Sequence, residues 1–296
     1  MDKRCHIIDR SITEIAKRKI VDWPQLSYFA ESLLNIGVEM LELDARSIQV
    51  MERKRFNFIY RISDLKDLSE LHGKKPSAVI IKCDDVFKIP QQKINHNLII
   101  EIEVNSLNVL REIKEKGLLD LVKRRYAPYC IRFCGMEDYE IWGDIKDICS
   151  FKEEVKIDIC PYDTKGLATA IALDALEMKT DYLTTSFCGY GLGPVYAPTE
   201  EVIMALRVIY GVSQEGSTEK LTEMAEAFEE LSGKRVGKQK PILGSNIFKC
   251  ESGIHVDGII KDPNTYEPYP PEMVGKKREF VVGKHSGRKR FQTDPS

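Results

Sequence analysis

Residues 154–188, EVKIDICPYDTKGLATAIALDALEMKTDYLTTSFC, place two β-branched runs on either side of a helix-period stretch. EVKIDIC (154–160) and YLTTSFC (182–188) each have the length and composition of a buried strand. Between them Leu167, Ile171, Ala175 and Met178 recur at helical spacing, with Asp174 and Glu177 on the opposite face. This is a strand, a crossover helix and a second, parallel strand. Six more such runs precede it: CHIIDRS (5–11), VEMLELDA (38–45), FNFIYRI (56–62), SAVIIKC (77–83), NLIIEIEVN (97–105) and YCIRFCG (129–135). Eight strands within about the first 190 residues fit a closed (β/α)8 barrel better than an open sheet, although spacing alone leaves the doubly wound alternative standing.

The helix boundaries are written in turn chemistry. Pro24 opens a segment with Leu26, Phe29, Ala30 and Leu33 on one face, and Gly37 closes it. Past the eighth run Thr199 is suited to cap a helix with Glu200 and Glu201 in its first turn, and Gly211 to end it. Leu221, Met224, Ala225, Phe228 and Leu231 mark a further amphipathic helix, with Gly233 beyond its end. The basic, glycine-containing GKRVGKQKP (233–241) reads as a connection. The expected organisation is a barrel over 1–212, a helix and linker over 213–240, and a small subdomain over 241–296. That last unit is too small to hold its own core and must pack on something else.

The composition is that of an ordinary globular protein: 43% hydrophobic, 30% charged and a formal net charge of −2. This balance gives no electrostatic case for nucleic acid or an anionic membrane. No apolar run approaches a membrane span, and MDKRCHIIDRS lacks the apolar segment of a signal peptide, so a cytoplasmic location is expected. Eight cysteines without a CxxC read as free thiols. Cys134, Cys160 and Cys188 fall at the ends of three neighbouring strands, where they form either a thiolate site for a soft metal or cluster, or small buried hydrophobes.

The C-terminal stretch 244–287, GSNIFKCESGIHVDGIIKDPNTYEPYPPEMVGKKREFVVGKHSG, is dense in glycine and proline and carries His255 and Tyr266. On residue chemistry alone, a histidine between Ile254 and Val256 reads first as a structural residue. The stretch closely resembles the region after the barrel in the homocitrate synthase and isopropylmalate synthase family, with GIHVDGIIKDPNTYE and GKHSG the most specific matches, and looks most like nitrogen-fixation homocitrate synthases. The resemblance implies that His255 is an acid/base residue, that Tyr266 is its companion, and that both are donated to a neighbouring subunit. It also aligns Arg132 with an arginine near the substrate carboxylates, a task its bidentate fork suits, though a structural ion pair suits it equally.

The rest of the family's motif is eroded. IIDRSITEIA puts Thr13 where the family has an arginine and Glu14 where it has a metal-binding carboxylate. CPYDTKGLATA keeps the family's GLATA (166–170) but places Cys160 and Tyr162 at the two metal-binding histidines. CGYGLGPVYAP keeps Gly189 and Gly191 and substitutes Leu192, Gly193 and Tyr196 at polar positions. A phenol is a poor replacement for neutral imidazole at pH 7, and no histidine lies between His96 and His255 to make good the loss. Glu14 is then either a surviving ligand or a helix-start carboxylate.

The resemblance therefore implies a subunit of a homocitrate-synthase-type acyltransferase, condensing acetyl-CoA with a 2-oxo dicarboxylate. This chain holds no cofactor of its own in that reading, and the divalent metal belongs to a related partner subunit in a hetero-oligomer. Two other readings stand beside it: a non-catalytic regulatory or binding member of the same fold, and a self-sufficient enzyme with altered chemistry built on the cysteines.

Overall fold

The computed structural model describes residues 6–52, 55–71, 73–88, 94–104, 106, 109, 113, 117–137, 140–143, 155–212 and 216–281. The GKHSG segment (283–287) lies outside them. Eight parallel strands close on themselves in sequence order: β1 (His6–Asp9), β2 (Met40–Leu43), β3 (Phe58–Arg61), β4 (Ala78–Lys82), β5 (Leu98–Val104), β6 (Cys130–Gly135), β7 (Lys156–Pro161) and β8 (Tyr182–Thr185). Closure is made by β1 against β8, with Ile8 opposite Thr184 and Asp9 opposite Thr185. Seven strands fall within their runs and β7 extends one residue past its run, to Pro161; the doubly wound alternative is excluded by the closed order.

The helices whose bounds are described are α1 (Ser11–Ala16), α2 (Trp23–Asn35), α3 (Cys83–Val86), α4 (Leu118–Tyr126), α5 (Ala168–Glu177), α6 (Thr199–Val208), α7 (Leu221–Ser232) and α8 (Gly253–Lys261). Helix α2 starts as its sequence dictates, with Asp22 accepting a hydrogen bond from the Gln25 backbone N–H at 3.0 Å and Pro24 in the first turn. The apolar stripes of α2, α5 and α7 face the main core. Three expectations change. After β2 and β3 the described crossovers are 3-10 segments, Ser47–Glu52 and Leu65–Leu71, because those connections are short for a multi-turn helix with two loops. Thr199 makes no cap; its hydroxyl turns inward to Asp9. Asp174 is half-buried and accepts the Trp142 indole N–H at 2.5 Å rather than facing water.

Strand alternation stacks the barrel interior in layers. The lowest is apolar: Ile8, Met40, Ile59, Ile80, Ile99, Cys130 and Tyr182. Two residues further along the same strands or their ends come Arg10, Glu42, Arg61, Glu101 and Arg132, joined by Asp158. Above these, at the carboxyl mouth, Cys134, Cys160, Tyr162 and Tyr196 form a small buried cluster.

The C-terminal segment packs on the barrel's flank. Thr218 and Thr222 of the α7 region donate to the carbonyls of Met273 and Val274, both at 2.8 Å, and Val274 is fully buried. Short strands β9 (Lys249–Cys250) and β10 (Glu279–Phe280) pair in parallel and close the base of the segment that carries α8. No helix among the described residues is long and apolar enough to cross a membrane.

Candidate functional site

Two places carry chemistry: the barrel mouth and the exposed face of α8. At the mouth, Arg10 follows β1 into the interior while Asp9, on the opposite face of the strand, meets Thr199, and α1 follows with Glu14. Arg10 was not singled out from the sequence; its signal was the charged pair Asp9–Arg10 ending an apolar strand run. Its side chain is 7% exposed. Arg10 Nη2 donates to Glu14 Oε1 at 3.3 Å and lies 3.6 Å from Glu42 Oε1. Nη1 points to Cys160 Sγ at 3.9 Å, and the guanidinium sits over the Tyr196 ring, 4.3 Å from its centre. Nε is buried without a hydrogen-bond partner.

Glu14 is equally committed. Besides Arg10 it accepts from Lys17 Nζ at 2.7 Å, from the Leu192 backbone N–H at 3.2 Å and from the Tyr196 hydroxyl at 3.5 Å. The loop that brings Leu192 and Tyr196 there needs its glycines. A Cβ at Gly191 would stand 1.9 Å from the Pro194 carbonyl oxygen, and Gly189 has a positive φ of 69° with the Tyr196 carbonyl 2.8 Å from where a Cβ would be. Thr13 donates to the Glu42 carbonyl at 2.6 Å and takes no part in the mouth's charges.

Beneath them Arg132 is fully buried. Its Nε donates to Asp158 Oδ2 at 2.6 Å, Nη1 pairs closely with Glu42, and Glu101 lies 3.5 Å away, leaving Nη2 as the atom without a partner. Arg61 completes the layer with Nε on Glu42 at 2.7 Å and both terminal nitrogens on Glu101. Burial pushes the Glu42 carboxyl up, but Arg10, Arg61 and Arg132 outweigh it and hold the group well below the ordinary carboxylate range. Arg132 thus meets carboxylates of its own chain, the geometry of an ion-pair partner.

The remaining mouth residues do not offer ligands. Burial, with Cys134 and Cys160 as neighbours, pushes the Tyr162 phenol far up, so it stays protonated at neutral pH. Burial likewise raises the Cys134 thiol well above its ordinary range, and its neighbour Cys160 adds to this. Cys134 and Cys160 face each other across β6 and β7, whereas Cys188 packs against the main core, its thiol pushed up to about 12 by burial and then by Glu200. The three-cysteine site is corrected accordingly: only two of the three converge. Among the described residues no group of three or more His, Cys, Asp or Glu is placed to hold a metal. Tested on this donor set, a divalent ion does not fit. Glu14 is saturated with donors, Cys160 faces a guanidinium, and Tyr162 keeps its proton.

The second place is the opposite in character. His255 lies in the first turn of α8 and is exposed. Tyr266 follows a 3-10 turn, Pro263–Thr265, whose start is fixed by Asp262 accepting the Asn264 N–H at 3.1 Å. The two rings meet with centres 4.8 Å apart and planes tilted by 41°. Gly258 makes the approach possible, since a Cβ there would stand 2.1 Å from Tyr266 Cε2. On the same helix Ile254 is 78% exposed and Ile260 54% exposed.

Known proteins resemble this chain in sequence and in fold. The family model described as "Homocitrate synthase post-HMGL domain-like" matches residues 242–294. The omega subunit of homocitrate synthase from Clostridium pasteurianum is 31% identical over 96% of this chain and 82% of that protein. Homocitrate synthase 1 of a Nostoc species is 36% identical over 59% of this chain and 48% of its own length. Among solved structures, the HMG-CoA lyase of Brucella melitensis superposes with a TM-score of 0.60 at 13% identity, covering 78% of this chain and all of that one, which is a likeness of fold.

Proposed function

Because the chain belongs to the homocitrate synthase and isopropylmalate synthase family, we propose that it is one subunit of a homocitrate-synthase-type acyltransferase and lends His255 and Tyr266 to a related, metal-binding barrel. The observation that carries this reading is the contrast between two sites of one chain. His255 and Tyr266 are in ring contact on an exposed face, while the chain's own mouth is filled by Arg10 and closed over by Glu14 and Tyr196. The Clostridium pasteurianum relative is an omega subunit, which supports a multi-subunit assembly.

In this reading His255 takes a proton from the methyl carbon of acetyl-CoA, with Tyr266 orienting the imidazole or the substrate. The carbanion equivalent adds to the carbonyl carbon of a 2-oxo dicarboxylate held by the partner barrel, and water then cleaves the thioester to release CoA. The divalent ion expected of the family belongs to that barrel, as does the contact to the substrate carboxylates. Arg132 keeps its role in this chain's ion-pair layer.

The test is reconstitution with a metal-binding homologue. The mixture should condense acetyl-CoA with a 2-oxo dicarboxylate, and His255→Ala should lower kcat by roughly 10²–10⁴ with a smaller change in KM. Tyr266→Phe should act in the same direction, less severely. A silent His255→Ala in an intact complex would leave a non-catalytic binding subunit as the better reading. Robust turnover by the isolated chain would sink the proposal outright.

A further inference from the structure

We propose that the Arg10 guanidinium is a built-in cation occupying the place at this barrel's mouth that a divalent ion would need, so that the mouth is neutralised and closed without metal. The inference rests on barrel residues alone and stands or falls independently of what His255 does.

Position comes first. The guanidinium touches Glu14, Glu42, Cys160 and the Tyr196 ring at once, at 3.3, 3.6, 3.9 and 4.3 Å. An ion bound to the same donors would have to stand between them, in the volume the guanidinium fills. Charge comes second. In the interior layer Arg10, Arg61 and Arg132 face Glu42, Glu101 and Asp158, and Glu14 is matched from outside by Lys17. The layer is balanced, three against three, so a divalent cation would bring two uncompensated charges into a buried site. Donor direction comes third. Arginine offers N–H groups and no lone pair, and Nε is buried and unpaired, so the guanidinium repels a cation and cannot ligate one. The π face of Tyr196 and the carboxylate of Glu14 suit a flat monovalent cation, which stacks and hydrogen-bonds at the same time.

The distinguishing consequence is that removing the guanidinium should create a cation requirement. Arg10→Ala leaves the Glu14 and Glu42 carboxylates and the Cys160 thiol beside a vacated space with one buried negative charge uncompensated, which an added small cation can offset. The variant should unfold roughly 5–15 °C below the wild-type chain. Added Zn2+ or Mn2+ should recover part of that loss, whereas neither these ions nor a chelator should move the wild-type midpoint. Arg10→Ala/Glu42→Gln, which deletes one cation and one anion together, should recover stability without metal. It also keeps the question open to measurement if the single variant does not fold. Arg10→Lys should hold the charge, fold, and stay unresponsive to metal. One tightly held divalent ion per wild-type chain at neutral pH would overturn the proposal. So would an Arg10→Ala chain that is as stable as wild type, or that is destabilised but blind to metal while the double variant is no better.

Discussion

Gly258→Ala isolates the contact between His255 and Tyr266 without altering either residue. The added methyl would start 2.1 Å from Tyr266 Cε2, 2.9 Å from Cδ2 and 3.1 Å from Cζ. Ordinary carbon–carbon contact is about 3.6 Å, so the ring must retreat by about 1.5 Å. Tyr266 is 43% exposed and has room to swing outward, which makes the movement cheap in folding energy. Helix α8 should even gain up to about 1 kcal/mol, because alanine loses less backbone entropy than glycine. The rate should fall. A misplacement of about 1 Å in a positioned group costs on the order of 10²-fold, so kcat of the reconstituted complex should drop roughly 10–100-fold. Initial rates of CoA release from acetyl-CoA measure it, with thermal melts and size-exclusion chromatography showing that fold and complex persist. If Gly258→Ala keeps full kcat while Tyr266→Phe lowers it, the ring contact seen here is not the working geometry and the argument from it fails.

Asp9 and Glu200 are fully buried carboxyls; burial pushes them up to about 6 and about 7, against hydrogen bonds from Thr199 and Ser11 to the first and the pull of Lys240 on the second. The folded state therefore holds more protons than the unfolded one between about pH 4 and 7, and stability should fall as pH rises through that window, by at most roughly 3 kcal/mol for each group. Glu42, and Glu101, are pushed up by burial but held low overall by their arginines, so their contribution is present above the ordinary carboxylate pKa and is lost in stronger acid. Denaturant midpoints should peak near pH 4–5; a steady rise from pH 5 to 8 would contradict both assignments. Lys240→Met removes the ammonium 3.4 Å from Glu200 and 2.8 Å from Glu201, and should cost roughly 2–4 kcal/mol at pH 8 but less at pH 6, read from the same unfolding curves.

The strands were legible because each buried barrel strand needs a short apolar run whatever its partners are, and all eight coincide with such runs to within one residue. The stripe of α7 was legible for a similar reason: Leu221, Met224, Ala225, Phe228 and Leu231 meet the core through helical period alone. Arg10 was not, because its meaning depends on Cys160, 150 residues away, and on Tyr196, which only barrel closure brings together. Glu42, Arg61, Glu101 and Asp158 did leave a trace, as charges interrupting apolar strand runs on the inward parity. Their pairing, unlike their placement, was decided across the barrel. Cys188 missed its expected neighbours because the turn after β8 carries it away at a positive φ of 58°. Thr199 failed as a cap because Asp9, on a strand distant in sequence, is the stronger acceptor, at 2.5 Å.

The pairing of β1 with β8 has a consequence in time. On a ribosome, chain emerges from the N-terminus at roughly 5–20 residues per second, and the first strand cannot find its last neighbour until Thr185 is out. His255 and Tyr266 come still later, after α6 and α7, whose flank the C-terminal segment needs as its seat. Birth order thus separates the making of the barrel from the making of the arm. The arm is the last part of the described chain to emerge, and the flank it sits on is complete in sequence before it arrives.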